Sequence, residues 1–292
     1  TTDAANATLV FVKSGTTYNG QAVGTGTSES ALAKNTLTSS MAQVTSAMIQ
    51  IDTSGDFGDI ASYAASAGYG ITTLVHEVGH LVGLGHSGPY NGTVKSNTEQ
   101  NNSTDVRTWS IMSYVDPTDT AAKYYSAYSA AGTDFGLGTD GTIRSPYTPM
   151  GLDVFAAQRI VGAPTSTMLA GGQTFGFNSN VMYTAIDGSR QKLSMYDFTA
   201  DTNPVVTLYD YGSNNTLDLS GFSTASTINL NPGTFSSTTS QTNNIFIEYG
   251  TQIDTVVGGA GNDTFTVNAD NDTINGGGGK NTVVFPNAYA SY

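Results

Sequence analysis

The chain has 292 residues, 23 acidic against 10 basic, for a net charge of −13, yet charged residues make up only 11%. Such an acidic, Ser/Thr/Asn/Gly-rich surface excludes nucleic acid and anionic membranes as partners, and no run of 18 apolar residues suggests membrane insertion. The length accommodates two domains with real cores. In chain order, Leu9-Val10-Phe11-Val12 predicts a short strand. Residues 44–52 predict another, in which Met48, Ile49 and Ile51 mix faces. Ile71 to Gly83 predicts a helix. Residues 87–109 and 115–148 are long polar loops.

The predicted helix carries His76-Glu77-Val78-Gly79-His80-Leu81-Val82-Gly83-Leu84-Gly85-His86, and the chain's three histidines all fall in this run. His76 and His80 are one helical turn apart on one face and can grip one ion. Gly83 can take positive φ, end the helix and turn the chain so that His86 becomes a third ligand. A structural zinc site is closed by four protein ligands and is often cysteine-rich. This chain has no cysteine, so three histidines and an open fourth position point to a catalytic zinc. Glu77 is not a ligand in this pattern. It sits within reach of the open position as a general base for water attacking a carbonyl. Zinc would lower the pKa of a water from about 15.7 to about 7.

The run H-E-x-x-H-x-x-G-x-x-H resembles the metzincin metalloproteases, and Ser110-Ile111-Met112-Ser113-Tyr114 resembles their Met-turn. The resemblance implies an α+β metzincin catalytic domain with Met112 as a hydrophobic floor beneath the metal. A tyrosine two residues after that methionine is similar to the serralysins and astacins. By that likeness Tyr114 ligates zinc in the resting enzyme and swings away to stabilise the tetrahedral intermediate. Ser87 departs from the proline common in serralysins and is similar to matrixins, but Tyr114 stands where matrixins have proline. In metzincins the strand before the active-site helix is the sheet edge that pairs with substrate, which makes 44–52 the candidate edge, with an ordinary core strand as the alternative.

Thr148-Pro149 opens a predicted helix with Leu152, Phe155, Ala156 and Ile160 at helical spacing, ended by Gly162 and Pro164. The domain boundary is placed near 165, giving a catalytic domain over 1–165 and an all-β domain over 166–292, the latter opening at Phe175-Gly-Phe-Asn-Ser-Asn180. Residues 258–266 fit the nonapeptide G-G-x-G-x-D-x-U-x of calcium-binding parallel β-rolls. Flanking nonapeptides keep phase, with apolar Val256, Phe265, Ile274 and Val283 and polar Asp254, Asp263, Asp272 and Asn281. Each is a half-turn, so 258–263 faces 276–281 across one calcium. Resemblance to serralysins implies Gly259, Gly261 and Asp263 on one turn and Gly276, Gly278 and Asn281 on the other as ligands. It further implies a calcium held by Asp210 and the carbonyls of Gly171 and Gly212, with Asn215 and Asp254 at a neighbouring site. Asn215 and Asn281 both replace the family's aspartate, which predicts weakened affinity. Chelating calcium is expected to melt 249–284 first.

These features predict a secreted, extracellular zinc endopeptidase acting on proteins or peptides as a monomer, with one catalytic Zn2+ and one to three structural Ca2+. The alternative is a calcium-dependent binding or adhesion module with an inactive protease-like domain; the intact Glu77 argues against it. Only 75 residues precede His76, without an initiator methionine or pro-segment. The end at Ser291-Tyr292 lacks the acidic-then-hydrophobic tail of a type I secretion signal. A trimmed chain or a compact relative is therefore expected, with a type I-like route.

Overall fold

The computed structural model describes residues 9–13, 17–18, 21–22, 31–37 and 44–51, then 69–285 except 130–134, 136–143, 164–168 and 186. The predicted boundary near 165, Pro164, Asp52 and the Ser291–Tyr292 terminus lie outside the described residues. Among the described residues five strands come first: β1 (Leu9–Lys13), β2 (Thr17–Tyr18), β3 (Gln21–Ala22), β4 (Ala31–Leu37) and β5 (Val44–Ile51). β1 pairs parallel to β5 while β4 pairs antiparallel to its other side. β5 is therefore central, and the expectation that 44–52 is the sheet edge is corrected. Side-chain pattern specifies which face of a strand is buried, not whether both of its ladders are filled. Among the described residues the outer strands are β1 and β4. The sequence of β4, with Ala, Lys and Asn, carries little strand propensity.

The long helix α1 (Tyr69–Val82) lies against β4, β5 and a later helix. Its end is a Schellman motif: Leu84 N–H donates to Gly79 O at 3.0 Å and Gly83 N–H to His80 O at 3.1 Å. Gly83 takes φ +104°, which a side chain would oppose. Two short helices, α2 (Ser96–Glu99) and α3 (Tyr125–Ser129), punctuate the loops. Val106, Val115, Ala122 and Tyr128 form a small core under them.

Helix α4 (Gly151–Val161) forms where expected and ends at Gly162 with φ +86°. The residues at helical spacing are not its most buried ones: Phe155 is 41% and Ile160 54% exposed, whereas Gly151 and Asp153 are buried. The helix is seated by its first turn. Gly151 backs onto the Phe246 ring so closely that a Cβ would come within 2.4 Å of it. Asp153, at the third position, accepts the Met150 N–H at 2.8 Å, one half of a capping box.

Among the described residues after α4 lie a 3-10 turn at Ser194–Tyr196 and twelve three-residue strands: β6 (Thr174–Gly176), β7 (Met182–Thr184), β8 (Arg190–Lys192), β9 (Val206–Leu208), β10 (Thr216–Asp218), β11 (Thr227–Asn229), β12 (Thr234–Ser236), β13 (Ile245–Ile247), β14 (Thr255–Val257), β15 (Thr264–Thr266), β16 (Thr273–Asn275) and β17 (Thr282–Val284). Four form one parallel sheet, ordered β16-β14-β10-β6, and three another, β11-β15-β17. Successive strands from β14 to β17 alternate between these sheets. Thr255 thus pairs with Thr273 and Thr264 with Thr282, each 18 residues on. This is the parallel β-roll expected from the nine-residue period.

The inner roll strands point their middle residues inward. Phe175, Leu217, Val256, Ile228 and Phe265 are fully buried in one core with Val206, Leu208, Ile245 and Ile247. Each such side chain contributes about 1.5–3 kcal/mol of apolar burial. The stack opens at its end, where Val283 is 40% exposed. Tyr147 belongs to this core, and the Trp109 ring packs 4.9 Å from Phe235 and 5.9 Å from Phe246. The segment around the histidines is thereby seated on the β part.

Candidate metal centre

α1 presents His76 and His80, and the chain reversal at Gly83 returns His86 to them. The Nε2 atoms of His76 and His80 each lie 3.2 Å from His86 Nε2. Among the described residues this trio is the only group of three or more His, Cys, Asp or Glu arranged to hold a metal ion. Each Nδ1 faces a backbone carbonyl at 2.9 Å: Ile111 O for His76, Leu84 O for His80 and Tyr90 O for His86. A carbonyl only accepts, so each Nδ1 carries the hydrogen and each neutral ring leaves a bare lone pair on Nε2. Three lone pairs aimed at one point repel unless a cation lies among them. A tetrahedral zinc with bonds of about 2.0–2.1 Å sets its nitrogens about 3.3–3.4 Å apart, close to the spacing found. The residues present fit zinc. Burial lowers the His76 pKa to about 4 and pulls that of His86 down as well, favouring the neutral, metal-binding form.

The other predicted residues gather around this trio. Glu77 is half-buried on α1. The Tyr114 ring sits 4.6 Å from that of His86 and 5.7 Å from that of His76. Met112 is buried, and its Sδ would lie 2.6 Å from a Cβ built on Gly79, so the turn presses on α1 between the two helical histidines.

Two buried aspartates that the motifs do not contain tie the site together. Asp153 accepts the Ser110 hydroxyl at 2.5 Å and the Ile111 N–H at 2.7 Å; Ile111 O in turn holds His76. Burial raises the Asp153 pKa against these hydrogen bonds. Asp105 accepts the Tyr90 hydroxyl at 2.5 Å and the Ser113 hydroxyl at 2.8 Å, and Tyr90 O holds His86. Tyr90 also stacks on Tyr114 at 5.2 Å and accepts the Tyr114 N–H at 3.2 Å. Sequence reasoning missed Tyr90, Asp105 and Asp153. Their only local signal is the capping position of Asp153 three residues after Met150.

The expected calcium ligands fall at three places. Asp210 is fully buried; its Oδ1 accepts the Gly212 N–H at 2.6 Å and its Oδ2 has no partner. Gly171, at φ +101°, packs on the Ser213 backbone, and its carbonyl accepts Gln173 Nε2 at 3.2 Å. Next to it the buried Asn215 donates its N–H to Asp254 Oδ2 at 3.1 Å. At the third place the turns 258–263 and 276–281 stack as expected. Gly278 N–H donates to Gly259 O at 2.8 Å, and a Cβ on Gly279 would lie 2.2 Å from Gly261 O.

Residues 165–292 match the family described as Peptidase M10 serralysin C terminal. The chain is 36% identical over 199 residues to the metallopeptidase AprA of Pseudomonas marginalis, covering 67% of this chain and 36% of that protein. It is 35% identical over 208 residues to serralysin of Photorhabdus laumondii, covering 69% and 37%, and 34% identical over 201 residues to serralysin C of Dickeya chrysanthemi, covering 67% and 36%. The chain thus spans little more than a third of the length of these relatives. Together the matches support a serralysin-family protein with a parallel β-roll at its C-terminal side.

Proposed function

We propose that the chain is a secreted zinc endopeptidase, its catalytic part over 1–165 and its β-roll over 166–292. The observation that carries this is the convergence of three Nε2 lone pairs, each ring locked by an Nδ1–H bond to a carbonyl. His76, His80 and His86 hold the metal. Zinc, when bound, supplies Lewis-acid polarisation of the scissile carbonyl and acidifies a water.

The chain's own residues do the rest. Glu77, next to His76 on α1, accepts the water's proton and hands it to the leaving amine. Tyr114, over His86 and His76, directs its hydroxyl to the oxygen on which charge develops. Met112 supports α1 from below at Gly79. The names of the metallopeptidase and serralysins that the chain resembles support peptide hydrolysis and protein substrates.

The test is casein hydrolysis by the full chain with and without o-phenanthroline. Activity abolished by the chelator and restored by zinc is the expected result. A folded, zinc-loaded chain without activity would overturn the assignment.

A further inference from the structure

The two asparagines that stand where the serralysin resemblance expects aspartate do not wait for calcium. Asn281 Oδ1 accepts the Asp263 N–H at 2.9 Å. Because that partner can only donate, the orientation of the amide is settled, and Nδ2 faces the other way. There it donates to Gly276 O at 2.8 Å and Gly278 O at 2.9 Å, two carbonyls expected to ligate calcium. Each Asp263 oxygen also accepts an N–H: Oδ1 that of Ser226 at 2.8 Å and Oδ2 that of Gly259 at 3.0 Å. Gly259 O already accepts the Gly278 N–H.

Asn215 repeats the arrangement one layer away. Its Oδ1 accepts the Gln173 N–H at 2.9 Å, and its Nδ2 donates to Gly212 O at 3.2 Å and Gln252 O at 2.9 Å. Asp254 Oδ1 accepts Gln252 Nε2 at 2.9 Å and Oδ2 accepts the Asn215 N–H. Calcium needs six to eight oxygens at about 2.3–2.6 Å. An NH2 group hydrogen-bonded to both carbonyls fills the space where the ion would touch them, and its partial positive charge repels a cation. Neither residue set fits calcium.

We propose that in this roll the side-chain amides of Asn215 and Asn281 replace calcium as the links between successive turns, so the turns around them form without the ion. Asn215 joins three segments, at 173, 212 and 252; Asn281 braces its own turn at Gly276 and Gly278 and ties it to Asp263 in the turn 18 residues earlier. Each satisfies the turn carbonyls that a bound cation would otherwise neutralise. A neutral amide also leaves one carboxylate fewer at each place, which lowers the repulsion that calcium would have to offset. Of the expected calcium ligands, Asp210 alone keeps a buried carboxylate oxygen without a partner.

The test uses the full chain, freed of calcium and labelled with nitrogen-15. Side-chain amide signals of Asn215 and Asn281, assigned through the backbone, are followed while calcium rises to the millimolar range in which extracellular modules bind. Both signals should be protected from hydrogen exchange without calcium and should not move as it is added. Movement or calcium-induced protection of either would overturn the proposal.

A second arm replaces the donor. Asn281→Asp loses both amide bonds and restores the acidic ligand, so its calcium-free melting temperature should drop by roughly 4–8 °C and recover with calcium. The parent's roll transition should show no such recovery. A parent that needs calcium as much as this variant does would also overturn it. Should the variant not fold without calcium, the amide signals of the parent decide alone.

Discussion

The carboxylate of Asp153 receives the backbone N–H of Ile111 at 2.7 Å, and through that residue α4 reaches the metal site. The carbonyl of Ile111 accepts from His76 Nδ1 at 2.9 Å. A residue 77 positions beyond the histidine therefore sets the direction of its lone pair. Asp105 does the same for His86 through Tyr90. In the proposed zinc site the histidines are the ligands, and two distant carboxylates set their aim.

Loosening that arrangement should weaken metal binding without removing a ligand. Asp153→Asn keeps the shape but cannot accept all its present donors, so zinc affinity should fall about 10–100-fold. Competition with a chromophoric chelator measures it. Unchanged affinity in a folded variant would mean that Ile111 holds His76 without help.

Glu77 and Tyr114 should separate binding from chemistry. Glu77→Ala retains the three histidines and should bind zinc as the parent does while losing several orders of magnitude in kcat. Tyr114→Phe should lower kcat with little change in KM, because its hydroxyl is assigned to developing charge rather than to the bound peptide. Substantial turnover by the Glu77 variant would remove it as the base.

Gly79 offers a packing test with a built-in control. Alanine is the better helix former by about 1 kcal/mol, yet a Cβ at 79 would lie 2.6 Å from Met112 Sδ. Gly79→Ala should therefore destabilise the protein, by about 1–3 kcal/mol, and lower zinc affinity by displacing the Met-turn. At Gly85 nothing lies within 4 Å of a built Cβ, so Gly85→Ala should be near neutral. Denaturant unfolding compares the two, and equal midpoints would show that Met112 yields freely.

Glu248 predicts a pH dependence. It is 1% exposed, and burial, opposed by the backbone N–H of Tyr249, pushes its pKa up from 4.5 to about 8. The folded state therefore holds a proton that the unfolded chain releases. Stability is full below about pH 4.5 and is lost progressively as pH rises toward about 8. Glu248→Gln should flatten that fall and gain about 1–3 kcal/mol at the alkaline end. Asp153 and Asp272 are shifted in the same direction, so the difference between parent and variant is the quantity to read. Parallel melting curves across this range would sink the assignment.

Local spacing determined the parts of this protein whose partners are near in sequence. His76 and His80 share a helix face, Gly83 reverses the chain, and Val256 and Phe265 recur every nine residues into the roll core; all of this follows from helical and half-turn periods. At α4 the helical spacing of Leu152, Phe155, Ala156 and Ile160 marks the helix but not its most buried side, for Phe155 and Ile160 stay partly exposed. That helix is seated through Gly151 on Phe246 and through the buried Asp153. Periodicity also left β5 without neighbours, because a strand's pattern does not say that β1 and β4 fill both of its ladders.

Only the tertiary structure decided which partner each polar group receives. Asp105 and Asp153 read as ordinary acids until folding brings Tyr90 and Ile111 to them. Asn215 and Asn281 read as weakened calcium ligands until the turns stack and place N–H donors from distant residues on their Oδ1 atoms, turning each Nδ2 onto turn carbonyls. A hydrogen bond depends on the direction of donor and acceptor, and direction is set by chain segments tens of residues apart.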